Sequence, residues 1–283
     1  MPELPEVETI VRGLAPVLRG RRLSGVWSSG LGLRLAQPVD VRGLRAVSAG
    51  GTISGVRRRG KYIAVVVTPA RGAKRAAPED SGICVHLGMT GRLRVQPASD
   101  ARAPHTHVVF TLDGGDELRF VDPRRFGWVA PGAPFASLPA LASLGPDPLS
   151  ELDAAGLARA LDGVRAPIKA FLLDQTRVAG LGNIYVCEAL FGARIHPTTP
   201  AGRVRRRAGA LLAAVRATLE GGIARRGTTL RDYVDADGFA GDNASALQVY
   251  GREGEPCLAC GASIRRRVDA GRSTFFCARC QRA

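Results

Sequence analysis

Residues 107–121 read HVVFTLDGGDELRFV, two apolar runs on either side of the turn sequence Asp113-Gly114-Gly115-Asp116. Glycine and aspartate accept the backbone angles of a tight turn, so this stretch predicts a β-hairpin with strands His107–Leu112 and Glu117–Val121. The β-branched run Tyr62–Val67 predicts a further strand that is buried. The part of the chain around these runs is therefore expected to be mostly β-structure.

The segments on either side of this region have different patterns. Ahead of it, the stretch from Pro5 to about Leu18 predicts a helix, because its apolar residues recur at spacings of three and four. Pro16 is expected to kink or end that helix. Behind the β-rich region, residues 131–150 contain five prolines and two glycines, which is typical of a linker.

Beyond the linker the pattern is helical. Ile184–Phe191 predicts one helix with Asn183 as its N-cap. Apolar residues from Val204 to Leu219 predict a longer amphipathic helix, and a cluster of arginines (Arg203, Arg205, Arg206 and Arg207) lies at its start. The last stretch is short, contains cysteines and resembles a hairpin. The pattern predicts an α+β chain with a β-rich N-terminal domain, a linker, a helical domain and a small terminal appendage.

The charge balance of the chain is unusual. Its 283 residues include 40 Lys+Arg against 25 Asp+Glu, a formal net charge of +15, which predicts a polyanionic partner such as nucleic acid or an anionic membrane. No apolar run approaches the length of a spanning helix. The acidic start MPELPEVE resembles neither a signal peptide nor a basic transit segment. Nucleic acid is therefore favoured, and the protein is expected in a reducing cytoplasm with no membrane partner.

Four cysteines near the end of the sequence have the spacing of metal ligands. Cys257-x2-Cys260 and Cys277-x2-Cys280 are separated by sixteen residues. Each pair can supply two thiolates from a tight turn, so that both pairs together bind one tetrahedral Zn²⁺. Four sulfur ligands leave no open coordination position, so one structural zinc ion is predicted. Unpaired thiols or two disulfides are the alternatives. The remaining cysteines lie among apolar residues and are expected to be buried.

A proline follows the initiator methionine. Removal of Met1 by methionine aminopeptidase exposes the secondary α-amine of Pro2, and an α-amine with a pKa of about 7.7–8.0 is partly unprotonated at neutral pH. Such an amine can attack C1′ of a sugar and form an iminium. The neighbouring Glu3 can supply or accept a proton. These two residues alone are weak evidence, because Pro-Glu is a common lead-in to a helix.

A series of short motifs runs along nearly the whole chain. They are Met1-Pro-Glu-Leu-Pro-Glu-Val-Glu8, Arg59-Gly60-Lys61-Tyr62, His86-Leu-Gly-Met89-Thr-Gly, Asp122-Pro-Arg124-Arg125-Phe126-Gly, Ile168-Lys169 to Asp174-Gln175, Gly180-Leu-Gly-Asn183-Ile-Tyr185, Gly227-Thr-Thr-Leu230, Leu247-Gln-Val-Tyr250-Gly and Gly271-Arg272-Ser-Thr-Phe. Taken in this order, they resemble the motifs of the formamidopyrimidine-DNA glycosylase family. The resemblance implies a catalytic β-sandwich domain with flanking helices over residues 1–132, a linker over 133–150, a helix–two-turn–helix domain over 151–249 and a zinc-bound β-hairpin over 250–283.

The resemblance also implies an activity, that of a bifunctional DNA glycosylase and abasic-site lyase of base excision repair. In this family Pro2 attacks C1′ of the damaged nucleotide and Glu3 is the proton donor as the base leaves. Lys61 resembles the residue that assists β-elimination, and Arg272 the one associated with δ-elimination. Leu4 favours the branch that acts on oxidised purines (8-oxoguanine and formamidopyrimidines), because the endonuclease VIII branch typically has glycine at that position.

Enzymes of this kind extrude the lesion from duplex DNA and must fill the hole that it leaves. The resemblance implies that Met89, Arg124 and Phe126, called here the wedge residues, fill this hole. They lie on loops that also carry Arg125. The remaining residues that match or nearly match DNA-contacting positions of the family are His105, Arg165, Lys169 and Asn183. Residues 235–245 align poorly with the loop that caps the lesion, so no role is assigned to them.

Three alternatives stay open at this stage. One is an endonuclease VIII-like glycosylase for oxidised pyrimidines, and another is a catalytically inactive zinc-containing DNA-binding paralogue. The third is a ribosomal or RNA-binding zinc module. Intact Pro2, Glu3 and Lys61 argue against the paralogue, and the order of the motifs argues against the RNA-binding module. A monomer is expected, since one duplex presents one flipped base.

Overall fold

The computed structural model describes residues 1–34, 36–70, 80–230 and 233–282. They form two compact units, of which unit 1 contains Met1–Ala142 and Arg226–Gly241, and unit 2 contains Ser143–Arg225 and Asp242–Ala283. The linear domain boundaries stay a prediction. The packing adds that residues 226–241 belong with the N-terminal unit. Within the described ranges, no helix is both long and apolar enough to cross a membrane.

Unit 1 is built from two antiparallel sheets with helices packed on them. Its helices are α1 (Leu4–Leu18), α2 (Val41–Ser48) and α3 (Pro139–Ala142), and its strands are β1 (Leu23–Ser28), β2 (Thr52–Arg59), β3 (Tyr62–Thr68), β4 (Gly82–His86), β5 (Arg92–Pro97), β6 (Thr106–Leu112), β7 (Asp116–Val121) and β8 (Trp128–Gly132). In the described part of the chain, the strand orders are β1-β6-β7-β5 and β2-β3-β4-β8. One apolar core takes in Ile10 of α1, Ile63 of β3 and Phe110 of β6. The predicted sandwich with flanking helices is confirmed.

The predicted hairpin forms between β6 and β7. A 3₁₀ turn over Asp113–Gly115 joins them, and Gly114 and Gly115 have φ angles of 70° and 84°, values that favour glycine over other residues. Pro16 does not end the helix, because α1 continues through it to Leu18, and the predicted kink stays a prediction. Pro16 lies in the last turn, so its missing N–H removes only one backbone hydrogen bond of the helix.

Unit 2 is mainly helical and ends in a two-stranded hairpin. Its elements are α4 (Ala154–Leu161), α5 (Ile168–Leu173), α6 (Asn183–Gly192), α7 (Ala208–Ala224), β9 (Arg265–Asp269) and β10 (Arg272–Phe276). The long amphipathic helix begins and ends later than predicted, because Ala201–Arg207 forms a 3₁₀ helix and α7 runs from Ala208 to Ala224. The prediction of Asn183 as N-cap is also wrong. The extended N-cap of α6 is Gly182, and Asn183 is the first helical residue.

Candidate active site and metal centre

The start of α1 holds Pro2 and Glu3 in a buried position. Pro2 is buried and Glu3 is 4% exposed. The backbone N–H of Glu3 donates to Oε2 of Glu6 at 2.8 Å, one half of a capping box that fixes the first turn of the helix. The two residues predicted to carry the chemistry therefore lie next to each other on a fixed segment of backbone.

The same Glu6 carboxylate fastens residues 226–241 to this segment. Its Oε1 accepts a hydrogen bond from the backbone N–H of Thr228 at 2.7 Å, and the Tyr233 hydroxyl donates to the Glu6 carbonyl at 3.3 Å. Burial raises the pKa of Tyr233, so the hydroxyl keeps its proton and stays a donor. The Gly227-Thr-Thr-Leu230 motif thus begins the part of the chain that packs against the start of α1.

Lys61 lies in the turn between β2 and β3 and is 7% exposed. Gly60, immediately before it, has φ 56°. The Arg58 guanidinium donates to Oε2 of Glu8 in α1 at 2.8 Å and to the Gly60 carbonyl at 3.2 Å. Arg58 therefore ties the turn that carries Lys61 to helix α1.

His86 belongs to the same surroundings, although sequence analysis assigned it no role. It pairs with Tyr62 across β3 and β4, and its ring lies 4.8 Å from the Tyr62 ring. Burial, followed by the positive charges of Lys61 and Arg34, lowers the pKa of His86 to about 4. A neutral imidazole beside Lys61 is the result. Only the strand register reveals this neighbour, because 25 positions separate the two residues in the sequence.

Two loops carry the residues predicted to fill the DNA helix. Met89 is 41% exposed and Phe126 is 38% exposed, so both side chains lie at exposed loop positions and not in the core. Arg124 is also exposed, and its guanidinium lies over the Phe126 ring at 4.7 Å. Arg125 is exposed with a positive φ of 56°. The structure thus places the arginine fork and the aromatic ring together.

His105 is exposed at the turn before β6 and has φ 65°. Its carbonyl accepts a hydrogen bond from the backbone N–H of Asp122 at 3.0 Å. This contact holds the turn of His105 against the beginning of the Asp122–Gly127 loop. Its predicted contact with DNA stays a prediction.

In unit 2, helices α5 and α6 hold the hairpin that carries Arg272. Nζ of Lys169 donates to the Ser273 carbonyl at 3.1 Å and to Oγ1 of Thr274 at 2.7 Å. Nδ2 of Asn183 donates to the same Ser273 carbonyl at 2.8 Å. Because both donors bind the carbonyl of the residue after Arg272, they fix the position of the backbone from which the exposed Arg272 side chain projects.

Lys169 is itself 3% exposed, and burial lowers its pKa. Its ammonium contacts β10 in the described geometry, so the predicted DNA contact of Lys169 stays a prediction. Arg165, by contrast, is exposed three residues before α5 begins. A cavity of about 670 Å³ is lined by residues of both the helical part and the hairpin, among them Pro167, Lys169 and Arg272.

The four predicted zinc ligands converge. The sulfur atoms of Cys257, Cys260, Cys277 and Cys280 all lie within 4.8 Å of one another. Two of the separations are 3.9 Å (Cys257–Cys280) and 3.5 Å (Cys260–Cys277). Zinc–sulfur bonds of about 2.3 Å in a tetrahedron place sulfurs about 3.8 Å apart, so the cluster fits one zinc ion. The separations are too long for disulfides, whose sulfurs lie about 2 Å apart.

The remaining two cysteines are buried, as predicted. Burial raises the pKa of the Cys84 thiol to about 12, so that it stays protonated and unreactive. The zinc cluster is joined to the helical part of unit 2 through Gln281, which accepts from the Cys277 N–H at 2.9 Å and donates to the Ile195 carbonyl at 2.9 Å. The ion is therefore a structural one that supports the hairpin.

Comparisons with known proteins agree along the whole chain. Residues 1–129 match the formamidopyrimidine-DNA glycosylase N-terminal domain, residues 144–234 match the formamidopyrimidine-DNA glycosylase H2TH domain, and residues 254–283 match the zinc finger found in FPG and IleRS. A formamidopyrimidine-DNA glycosylase of Rhizorhabdus wittichii is 49% identical, with 100% of each chain covered.

Solved structures lead to the same family. MutM (Fpg) of Thermus thermophilus is 39% identical with a TM-score of 0.82, covering 99% of this chain and 98% of its own. A Lactococcus lactis Fpg variant in complex with Fapy-dG containing DNA is 32% identical with a TM-score of 0.85, covering 100% of both chains. With matched domains in this order and a relative of near 50% identity over its full length, the chain belongs to the formamidopyrimidine-DNA glycosylase family.

Proposed function

We propose that this protein is a bifunctional DNA glycosylase and abasic-site lyase that removes oxidised purines, among them 8-oxoguanine and formamidopyrimidines, from duplex DNA. The observation that carries the proposal is the buried Pro2–Glu3 pair, which Glu6 fixes at the start of α1. Family membership and the net charge of +15 support duplex DNA as the partner.

In the first step the neutral amine of Pro2 attacks C1′ of the damaged nucleotide. The bond between C1′ and the base breaks, its electron pair leaves with the base, and the Glu3 carboxyl supplies the proton that the departing base takes up. The C1′–O4′ bond then breaks with its electron pair on O4′, O4′ takes up the proton that the amine releases, and the nitrogen lone pair completes the C1′=N⁺ iminium. Because Glu3 is buried next to Pro2, the proton donor lies beside the nucleophile without a search through solvent.

The iminium makes two eliminations possible. Loss of the C2′ proton expels the 3′ phosphate, and loss of the C4′ proton expels the 5′ phosphate. We assign the first elimination to assistance by Lys61 and the second to Arg272. The neutral His86 beside Lys61 can donate a hydrogen bond to a phosphate oxygen.

The DNA-probing residues keep the roles that the family suggests. Arg124 offers a planar donor fork to the base left without its partner, and Met89 and Phe126 occupy the space of the flipped nucleotide. His105, Arg125, Arg165, Lys169 and Asn183 are proposed as contacts to, or supports of, the DNA backbone. The thiolates of Cys257, Cys260, Cys277 and Cys280 would hold a zinc ion, which would stabilise the hairpin and supply no reacting group.

Borohydride trapping tests the proposal. The native protein is mixed with a duplex that contains 8-oxoguanine opposite cytosine, and borohydride reduces the iminium to a stable amine that crosslinks protein and DNA. Mass spectrometry should place the crosslink on the Pro2 nitrogen of a chain that lacks Met1. An N-terminal extension should abolish the crosslink and Pro2→Gly should weaken it severely. A crosslink on another side chain, or base removal with no crosslink, would overturn the mechanism.

The choice of lesion is tested with the same assay. A duplex with thymine glycol in place of 8-oxoguanine should be cut more slowly, and faster cutting would favour the endonuclease VIII-like alternative. Complete lack of trapping on both duplexes would favour an inactive DNA-binding paralogue. We also propose that the enzyme acts as a monomer in the cytoplasm, where reducing conditions keep the four cysteines available as zinc ligands.

A further inference from the structure

The arginine cluster before α7 is shaped by a 3₁₀ helix. Ala201–Arg207 reads AGRVRRR, and a 3₁₀ helix repeats every three residues. Ala201 and Val204 are buried, whereas Arg207, the third residue of that face, is exposed and donates to the Ala193 carbonyl at 2.5 Å. Arg203 and Arg206 share another face and are both exposed.

These two arginines differ from Arg205 in their charged partners. One turn of 3₁₀ helix separates them, a rise of about 6 Å. Arg205, on the third face, is paired with Asp162 at 3.2 Å. For Arg203 and Arg206 the structure shows no carboxylate partner in the part of the chain that it describes. Two exposed side chains of like charge one turn apart repel each other, so an anion that contacted both would stabilise this surface.

Arg165 extends the same surface. The segment that carries it runs alongside the start of the 3₁₀ helix, because the Gly202 N–H donates to the Val164 carbonyl at 2.8 Å and the Ala201 N–H donates to the Ala166 carbonyl at 2.9 Å. Two residues further on, Pro167 lines the cavity that Arg272 also lines. The exposed arginines therefore lie on two hydrogen-bonded segments of backbone, and one of these segments continues to the cavity beside the hairpin.

We propose that Arg165, Arg203 and Arg206, called here the arginine rim, bind the phosphodiester backbone of duplex DNA outside the lesion. The inference rests on the proposed function, which already includes Arg165, and adds Arg203 and Arg206 as further contacts. A protein partner fits less well, because protein interfaces have an apolar core. No exposed large hydrophobic side chain lies between residues 159 and 207, a range that the structure describes in full. Phosphates need only positive charge and donors at a regular spacing.

The salt dependence of binding tests the proposal without any chemistry. The dissociation constant for an undamaged 30-base-pair duplex is measured at several salt concentrations for the full chain and for the R203A/R206A variant. Each lost phosphate contact lowers the slope of log K against log salt by about 0.9, so the double variant should lose about 1.8. R203K/R206K keeps the charges and should keep most of the slope.

A matched variant controls for net charge. R19A/R42A also removes two exposed arginines but in unit 1, with Arg19 about 24 Å along α1 from Glu3, and it should leave the slope unchanged. Circular dichroism checks that every variant is folded. An unchanged slope in R203A/R206A, or an equal loss in R19A/R42A, would overturn the arginine rim. Since no lesion is present, this outcome is independent of borohydride trapping, which tests the proposed function.

Discussion

The Asp122 carboxylate accepts a hydrogen bond of 2.5 Å from the Thr90 hydroxyl and thereby joins the two loops that carry the wedge residues. Asp122 is completely buried, and its other oxygen accepts from the Gly127 N–H at 2.7 Å. One carboxylate thus hydrogen-bonds to the backbone or side chain of both loops, while the Met89 and Phe126 side chains stay exposed. Side chains that project from rigid loops are suited to insertion between stacked nucleobases, because the loops lose little conformational entropy on binding.

Asp122→Asn is expected to loosen both loops. An amide has one acceptor oxygen where the carboxylate has two, so either the Thr90 hydroxyl or the Gly127 N–H loses its partner in a buried place, at a cost of about 1–3 kcal/mol. Discrimination between bases opposite the lesion should weaken, because Arg124 lies between these anchors. Denaturant unfolding and cleavage against all four opposing bases measure the two effects. Asp100→Asn, at an exposed position, is the control, and equal behaviour of both variants would contradict the assignment.

Asn183→Ala is expected to disturb the position of Arg272. The variant removes a 2.8 Å donor from the Ser273 carbonyl and leaves Lys169 as the other donor that the structure shows for it. Stability should fall by about 1 kcal/mol. If Arg272 carries the δ-elimination, the products should shift from δ towards β, as they should in Arg272→Ala. Gel analysis of the cleaved strand ends measures this ratio, and an unchanged ratio in Asn183→Ala would show that the contact does not position Arg272.

The buried His86 predicts a pH dependence of stability. Its folded pKa of about 4 lies below the ordinary value of 6.5, so between these values the unfolded chain binds a proton that the folded chain does not. The free energy of unfolding should therefore fall as the pH falls from 6.5 to 4, by at most about 3 kcal/mol from this group. His86→Gln should reduce this dependence. An NMR titration of the imidazole is the direct measurement, and a pKa near 6.5 would contradict the described surroundings.

Zinc removal is expected to weaken DNA binding while leaving the nucleophile intact. A chelator, or Cys277→Ser, should disorder the hairpin and with it the position of Arg272, so affinity for duplex DNA should fall. The native chain should contain one zinc ion, and Cys84→Ala should still contain it because Cys84 is not in the cluster. Metal analysis and binding isotherms measure both quantities. Full affinity after chelation would show that the hairpin does not depend on the ion.

Local patterns were enough to predict much of this protein. The DGGD turn, the spacing of Cys257 to Cys280 and the apolar face of α1 each arise from neighbours within a few residues or from a fixed repeat, so they are visible in the sequence. The order of the motifs identified the family. The same local reasoning was wrong about Asn183 as an N-cap, since its amide is used by Ser273, 90 residues away.

The tertiary structure alone decided which groups meet. Glu6 binds Thr228 across 222 residues, Asp122 binds Thr90 across 32, and His86 lies beside Lys61 only because β3 pairs with β4. Burial and a hydrogen-bond partner are properties of the folded surroundings, which no periodicity encodes. The sequence by itself determined the elements, the zinc ligands and the candidate nucleophile, whereas long-range packing determined their protonation, their rigidity and their neighbours.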